Sequence, residues 1–234
     1  MSTATENNMV VENTKKFWET YNKKITIAGI VIIVLAGAWI GYNYIIQSQD
    51  KKANEAIFLA EDLFGKMATT AFNKDSVNIV LNGGDFNGYK VKGILKVISE
   101  YGSTPTADRA RYIAGACYLH IKEYDKAITY LKDFDDHGAT QIGNRAYLLI
   151  GHAYAEKKNV SEAMNYYKKS AEANEKDETF SADSWLTYAR YAEVNGKTKE
   201  AIEAYKNLKS NFPTNSMVNS GEVDKHLARL GELN

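Results

Sequence analysis

The sequence predicts an all-α fold, in which a single N-terminal transmembrane helix is followed by a solenoid of paired helices. Three observations support this prediction. An uncharged apolar run covers residues 25–46, an alanine-centred pattern recurs three times after residue 100, and the 234 residues include only two prolines. With 44% hydrophobic residues, the chain has enough apolar surface to build a packed core.

Charge and motifs narrow the class of function. Lys plus Arg and Asp plus Glu both number 29, so no global field attracts nucleic acid. A single cysteine, Cys117, excludes an internal disulfide framework, and the sequence has no Cys or His cluster with zinc-site spacing. Nucleophile elbows, phosphate loops and dinucleotide fingerprints are absent. We therefore expect a non-catalytic protein with no cofactor, metal, nucleic acid or small-molecule substrate.

The apolar run has the length of a membrane span. Its 22 residues, ITIAGIVIIVLAGAWIGYNYII, would extend about 33 Å as a helix, enough to cross the hydrocarbon core of a bilayer. Amphipathic aromatic rings, which prefer the headgroup region, lie near both of its ends. These residues are Phe17, Trp18, Tyr21, Trp39, Tyr42 and Tyr44. Residues 25–46 are therefore predicted to form one transmembrane helix.

Lysines around the span predict its orientation. The lysines before it are Lys15, Lys16, Lys23 and Lys24. Only Lys51 and Lys52 follow closely, and positive charge favours the cytoplasmic side. We expect a cytoplasmic leader over residues 1–24 and, in a cell with two membranes, an inner-membrane protein whose bulk is periplasmic. The competing interpretation is a cleaved signal peptide, because Ala36-Gly37-Ala38 suits signal peptidase, although the long polar leader favours an uncleaved anchor.

Three glycines within the span are candidates for helix packing. Gly29, Gly37 and Gly41 are spaced by multiples of four, so they share one helix face, where small residues let two membrane helices approach closely. The alternative is that glycine is simply common in membrane helices.

An alanine-led pattern recurs as DKAITYL, SEAMNYY and KEAIEAY. Its central alanines are Ala127, Ala163 and Ala201. Their spacings of 36 and 38 residues lie close to the tetratricopeptide repeat (TPR) period of about 34. Twelve residues earlier stand Gly115, Gly151 and Ala189, small residues that let the two helices of a repeat pack closely. We therefore predict a TPR-type solenoid with three repeats over residues 105–215.

The flanking regions complete the predicted domain organisation. Residues 47–104 are expected to form a degenerate first repeat, whose second helix starts near Tyr89. Within it, residues 76–88 are predicted to be a loop, because Asn-Gly dipeptides are turn signals. Residues 216–234 are predicted to form a C-terminal capping helix with an apolar stripe.

The whole chain resembles the YfgM-like family of membrane-anchored tetratricopeptide proteins, most of all its Bacteroidetes versions. The resemblance is carried by the leader stretch KKFWETYNKK running into a glycine-rich span, and by ISEYGSTPTADRARYIAGACYLHIKEYDKAITYLKDF. It implies an inner-membrane protein with its N-terminus inside. The implied partners are Sec translocon subunits, a periplasmic prolyl-isomerase chaperone and exported client proteins, and no catalytic residues come with it.

Stacking like that of the family would place the first helix of each repeat on a concave face. The candidate protein-binding groove there combines apolar, aromatic and basic side chains: Arg109, Tyr112, Ala116, Leu119, Arg145, Leu148, His152, Leu186 and Arg190. Such a surface suits an extended or helical segment of another protein. The alternative is that the apolar members only pack between helices.

Two functions fit these features. The first is a tethered adaptor that holds proteins at the outer face of the inner membrane and assists the handling of exported proteins. The second is a structural scaffold that organises an envelope complex through self-association.

Overall fold

The computed structural model describes residues 2–173 and 176–232, with side chains from Glu12 onward. The chain divides into two compact units, residues 1–49 and residues 50–234. We call them the N-terminal unit and the repeat unit. The N-terminal unit is part of helix α1, Ser2–Thr69. Residues 2–24 of the predicted leader are therefore helical, and Met1 lies outside the described residues.

Helix α1 contains an apolar segment that is long enough to cross a membrane. By length and composition, it is the one helix among the described residues that qualifies, and none of its apolar window is buried. The hydroxyl of Thr26 donates to the carbonyl of Asn22 within the same helix. The segment lies within one continuous α-helix, so its backbone groups are hydrogen-bonded within the helix, as a membrane span requires.

The repeat unit contains the last part of α1 followed by short helices and one small hairpin. Its further elements are α2 (Lys74–Asn82), β1 (Gly83–Phe86), β2 (Tyr89–Lys92), α3 (Ile94–Tyr101), α4 (Pro105–His120), α5 (Tyr124–Lys132), α6 (Thr140–Glu156), α7 (Val160–Glu172), α8 (Glu178–Val194), α9 (Thr198–Asn211), α10 (Ser216–Asn219) and α11 (Glu222–Arg229).

The structure contradicts the loop that the sequence predicts at residues 76–88. Most of it is helix α2, which buries Val77, Val80 and Leu81 at helical spacing. Strands β1 and β2 then form an antiparallel hairpin in which Phe86 pairs with Tyr89. The Asn-Gly dipeptide does form a turn: Asn87 and Gly88, both with positive φ, are the two turn residues of this hairpin. The helix expected from Tyr89 therefore begins at Ile94.

Three helix pairs follow, α4–α5, α6–α7 and α8–α9, as the alanine spacing predicts. Glycines at the helix crossings let the two helices of a pair approach closely. A Cβ added at Gly151 would lie 2.5 Å from Cδ1 of Tyr167, and one added at Gly115 would clash with Leu131. Close approach of the two helices therefore requires glycine at both positions.

The predicted capping segment contains two short helices, α10 and α11, and its last residues, 233–234, lie outside the described residues. Glu193 of α8 holds α11 in place. Its carboxylate accepts hydrogen bonds from the hydroxyl of Tyr205 (2.8 Å) and from Nε of Arg229 (2.8 Å). Nδ1 of His226 lies 2.8 Å from the same carboxylate. Val223 and Leu227 of α11 are buried against this end of the solenoid.

The core is interrupted by a polar seam between α7 and α8. One cluster of buried apolar residues extends from α1 to α7, and a second extends from α8 to α11. At the seam, Ser170 donates to the carbonyl of Asn144 (2.9 Å) and lies 3.1 Å from the hydroxyl of Ser184. Ser181 donates to the carbonyl of Ala171 (2.5 Å). Hydrogen bonds therefore join the second repeat to the third where the apolar clusters end.

Candidate binding groove

A cavity of about 510 Å³ lies where α1, α4 and α6 come together with the start of α8. Its apolar lining residues are Phe64, Tyr112, Ile113 and Ile142, and its polar ones are Glu61, Arg109, Gln141, Arg145 and Asp177. We call this cavity the groove. All of these residues belong to the repeat unit.

Local capping interactions position the helices that build the groove. Helix α4 begins after Thr104, whose side chain accepts a hydrogen bond from the backbone N–H of Ala107 (3.2 Å). Asp50 of α1 accepts from the N–H of Thr106 (2.9 Å), so a carboxylate from α1 also occupies this helix N-terminus. Asp177 caps α8 by accepting from the N–H of Phe180 (3.2 Å).

Arg109 is already engaged by partners on α1. Its Nε donates to Glu61 (3.1 Å), and its second guanidinium nitrogen donates to the side-chain oxygen of Asn54 (2.7 Å). Arg109, a predicted groove residue, therefore already has hydrogen-bond partners within the chain. The ion pair with Glu61 ties α1 to the first complete repeat.

Arg145 is the arginine that remains available in the groove. Its guanidinium carbon lies 5.5 Å from the ring centroid of Phe180, close enough for a cation–π contact. No carboxylate within the described part of the chain lies within ion-pair distance of it. Its side chain is exposed, so an anionic group can reach it.

Tyr112 provides an aromatic wall with a neutral hydroxyl. Burial raises the pKa of Tyr112, and the positive charge of Arg145 offsets part of that effect. Its ring lies 5.7 Å from that of Phe134, measured between centroids, and the two are tilted to each other. The phenol is therefore protonated at physiological pH and can donate or accept a hydrogen bond.

The structure brings three of the predicted groove residues, Arg109, Tyr112 and Arg145, into one cavity. The others lie elsewhere on the first helices. Ala116 and Leu186 are buried in the helix packing, Leu119 and Leu148 are half-buried, and Arg190 is exposed.

His152 belongs to a contact between helices. Its Nδ1 lies 2.9 Å from the hydroxyl of Tyr167, and the ring of Tyr167 packs edge-on against Tyr191. Burial lowers the pKa of His152, while Glu156 partly counteracts this. The imidazole is therefore neutral at pH 7 and joins α6 to α7.

Several groove residues escaped prediction from the sequence. Glu61 and Phe64 come from α1, which was assigned to a degenerate repeat without groove positions. Gln141 and Ile142 lie in the first turn of α6, one turn before the predicted residues. The sequence could have indicated Gln141 and Ile142, because a concave face extends along the whole first helix of a repeat and therefore includes its first turn.

Elsewhere, the span glycines Gly29, Gly37 and Gly41 have no atoms within 4 Å of an added Cβ. Among the described residues, no group of three His, Cys, Asp or Glu side chains is arranged to hold a metal ion.

Models of the tetratricopeptide repeat match three segments of the chain, residues 109–136, 145–177 and 183–215. Each segment covers one of the helix pairs described above. No curated protein shows significant similarity to the chain. Tetratricopeptide repeats typically form protein-interaction domains. The chain is therefore an all-α protein in which these three segments form a solenoid of tetratricopeptide repeats.

Proposed function

We propose that this protein is a non-catalytic, membrane-tethered adaptor that binds a segment of another protein in the groove. The observation that carries the proposal is the groove itself, where apolar side chains from α1, α4 and α6 surround Arg145, which is exposed and has no ion-pair partner among the described residues. Binding sites commonly combine an apolar lining with a few polar groups that fix orientation.

The groove favours a segment that offers an apolar anchor and an acidic side chain. The apolar group would pack between Phe64 and Ile142, displacing water from their exposed surfaces. The carboxylate would pair with Arg145 in two parallel hydrogen bonds, which fixes its position. Glu61 already compensates the charge of Arg109, so a second acidic residue in the ligand gains little.

The tether is the apolar segment of α1. Its length and its exposed apolar side chains support insertion in a membrane. The lysines that precede it support an orientation with the repeat unit on the periplasmic side of the inner membrane. A tether raises the effective concentration of the groove near the membrane without demanding a tight intrinsic affinity. The family resemblance supports Sec translocon subunits, a prolyl-isomerase chaperone and exported clients as partners.

The proposal is tested by site-specific photo-crosslinking of the full-length protein in native membranes. A photoreactive amino acid at Ile142 reports on the groove, and the same group at Val194, which is exposed and not part of the groove lining, is the matched control. We expect crosslinks to export-machinery or exported proteins from position 142 and few from position 194. Mass spectrometry identifies the captured proteins.

The charge of Arg145 provides a second, independent readout. Replacing it in Arg145→Glu should reduce crosslinking from position 142 by about tenfold or more, because it removes a charge-assisted bond and adds repulsion. Arg190→Glu, the same charge change on the exposed surface of α8, is the control and should have little effect. Crosslinks from position 142 only to other copies of this chain would instead support the self-associating scaffold.

A further inference from the structure

The leader just before the apolar span has two chemically different faces. Successive helix residues are rotated by about 100°. Lys15, Lys16 and Lys23 therefore fall within a sector of about 100°, and Phe17, Trp18 and Tyr21 fall within another sector of similar width. Glu12 and Glu19 share the sector of these three lysines, and Lys24 lies beside the aromatic sector, so one side of the leader is charged and the other is aromatic with a lysine at its edge.

The aromatic face is well formed but has no protein cover in the described structure. Phe17 and Trp18 are each 56% exposed and Tyr21 is 42% exposed. The rings of Phe17 and Tyr21 lie 5.0 Å apart, and Nζ of Lys24 lies 5.8 Å from the centroid of Tyr21. Aromatic rings and cationic side chains therefore form one continuous surface immediately before the span.

The charge of this surface differs from that at the far end of the span. Between Glu12 and Lys24, four lysines face only two glutamates, so two positive charges remain. One of these acids, Glu12, is paired with Lys16 at 3.5 Å. At the far end, Lys51 and Lys52 are balanced by Asp50 and Glu55. Of these two stretches, only residues 12–24 therefore have an excess of positive charge, and Glu6 reduces the side-chain excess over the whole leader, residues 1–24, to one.

We propose that residues 12–24 bind anionic phospholipid headgroups selectively. The inference rests on the proposed insertion of the span. Lysines beside a span are attracted by the negative surface potential of anionic lipids. Phe17, Trp18 and Tyr21 occupy the headgroup region, where amphipathic rings are favoured. The lysines hold the lipid phosphates while the rings pack beside the glycerol and upper acyl chains, so the leader gathers acidic lipids around the anchor.

The test uses the full-length protein in vesicles that contain spin-labelled phosphatidylglycerol or spin-labelled phosphatidylcholine. The fraction of immobilised label gives the relative association of the two lipids. We expect a preference for phosphatidylglycerol of about threefold or more in low salt, which falls as salt screens the charges. The fourfold variant Lys15→Gln, Lys16→Gln, Lys23→Gln, Lys24→Gln should lose the preference. Lys51→Gln with Lys52→Gln is the matched control and should keep it.

A separate measurement tests whether the aromatic face contacts the acidic lipids. In a variant with Trp39→Phe and Trp185→Phe, fluorescence of Trp18 should be quenched more strongly by brominated phosphatidylglycerol than by brominated phosphatidylcholine. Equal association of both lipids, or equal loss in the Lys51 and Lys52 control, would overturn the inference. Energy transfer between copies that depends on Phe17 and Tyr21 would assign the face to self-association instead. Failure of the protein to insert at all would contradict the proposed tether itself.

Discussion

Large apolar side chains are mostly exposed in the described part of the N-terminal unit and mostly buried in the repeat unit. In the N-terminal unit, Ile33 is 72% exposed and Trp39 is 67% exposed. In the repeat unit, Ile57, Ile94 and Tyr205 are completely buried. Burying such side chains contributes about 1.5–3 kcal/mol each, so exposed rows of them in water are strongly unfavourable.

This difference indicates that the two units are suited to different solvents. The repeat unit buries its own apolar residues and can complete its core in water. The N-terminal unit contains a helix long and apolar enough to span a membrane, and none of its apolar window is buried by protein, so the proposed insertion would cover this surface with lipid. Helix α1 contributes residues to both units.

A charge in the span should produce the largest effect. Ile33→Asp and Leu35→Asp together should cost about 5–7 kcal/mol of insertion free energy, because each Asp near the centre of a span costs about 2.5–3.5 kcal/mol. The fraction of protein that resists an alkaline carbonate wash of membranes measures this. Phe58→Asp is the control, since Phe58 is 66% exposed but lies in the repeat unit. Equal loss from membranes in the control would contradict the assignment of lipid contact to the span.

Glycine substitutions test the packing of the repeat unit. Gly151→Ala should lower the free energy of unfolding by about 1–3 kcal/mol, because the new Cβ would overlap Tyr167. Gly65→Ala should raise it by up to about 1 kcal/mol, because α1 is open there and alanine favours helix. Urea unfolding of both variants provides the measurement. Equal stability of the two would show that the helices do not pack closely at residue 151.

How far sequence predicts structure differs between the two units for physical reasons. Spacing of Ala127, Ala163 and Ala201 predicted the helix pairs because close packing limits which residues fit at those positions. The hairpin after Asn82 was missed because turn signals fit both loops and hairpins, and tertiary contacts decide between them.

The groove was only partly predictable. Stacking like that of the resembled family predicts Arg109, Tyr112 and Arg145 on one concave face, and all three line the groove. It did not reveal that Glu61 neutralises Arg109, because that contact joins residues 48 positions apart in the chain. Long-range ion pairs depend on how α1 packs against α4, and local sequence patterns carry no information about that.

The polar seam provides a smaller effect on stability. Ser170→Ala removes a hydroxyl that donates to the carbonyl of Asn144 and contacts Ser184. We expect a loss of about 1–2 kcal/mol in the free energy of unfolding, since a buried hydrogen bond is lost. Ser161→Ala, at an exposed position on the same helix α7, is the control. Hydrogen exchange should also show faster opening of α8 and α9 in Ser170→Ala alone.

The smallest expected change in stability near neutral pH comes from the ionisation of Cys117. Burial raises the pKa of its thiol to about 12, so the folded state keeps the proton that an unfolded thiol would lose near pH 9. Its contribution to stability is therefore complete below about pH 9 and is lost as pH rises towards 12. At pH 8, a thiol-specific reagent should modify Cys117 only after denaturation. Rapid modification of the native protein would contradict the buried position of Cys117 in α4.

The most direct test of the two-solvent account is a measurement on residues 50–234 produced without the N-terminal unit, beside the full-length protein. Sedimentation and thermal unfolding followed by circular dichroism should show a soluble, helical fragment that unfolds cooperatively without detergent. The full-length protein should require detergent or lipid to stay dispersed. A fragment that aggregates or unfolds without a transition, or a full-length protein that is equally soluble in plain buffer, would contradict the account.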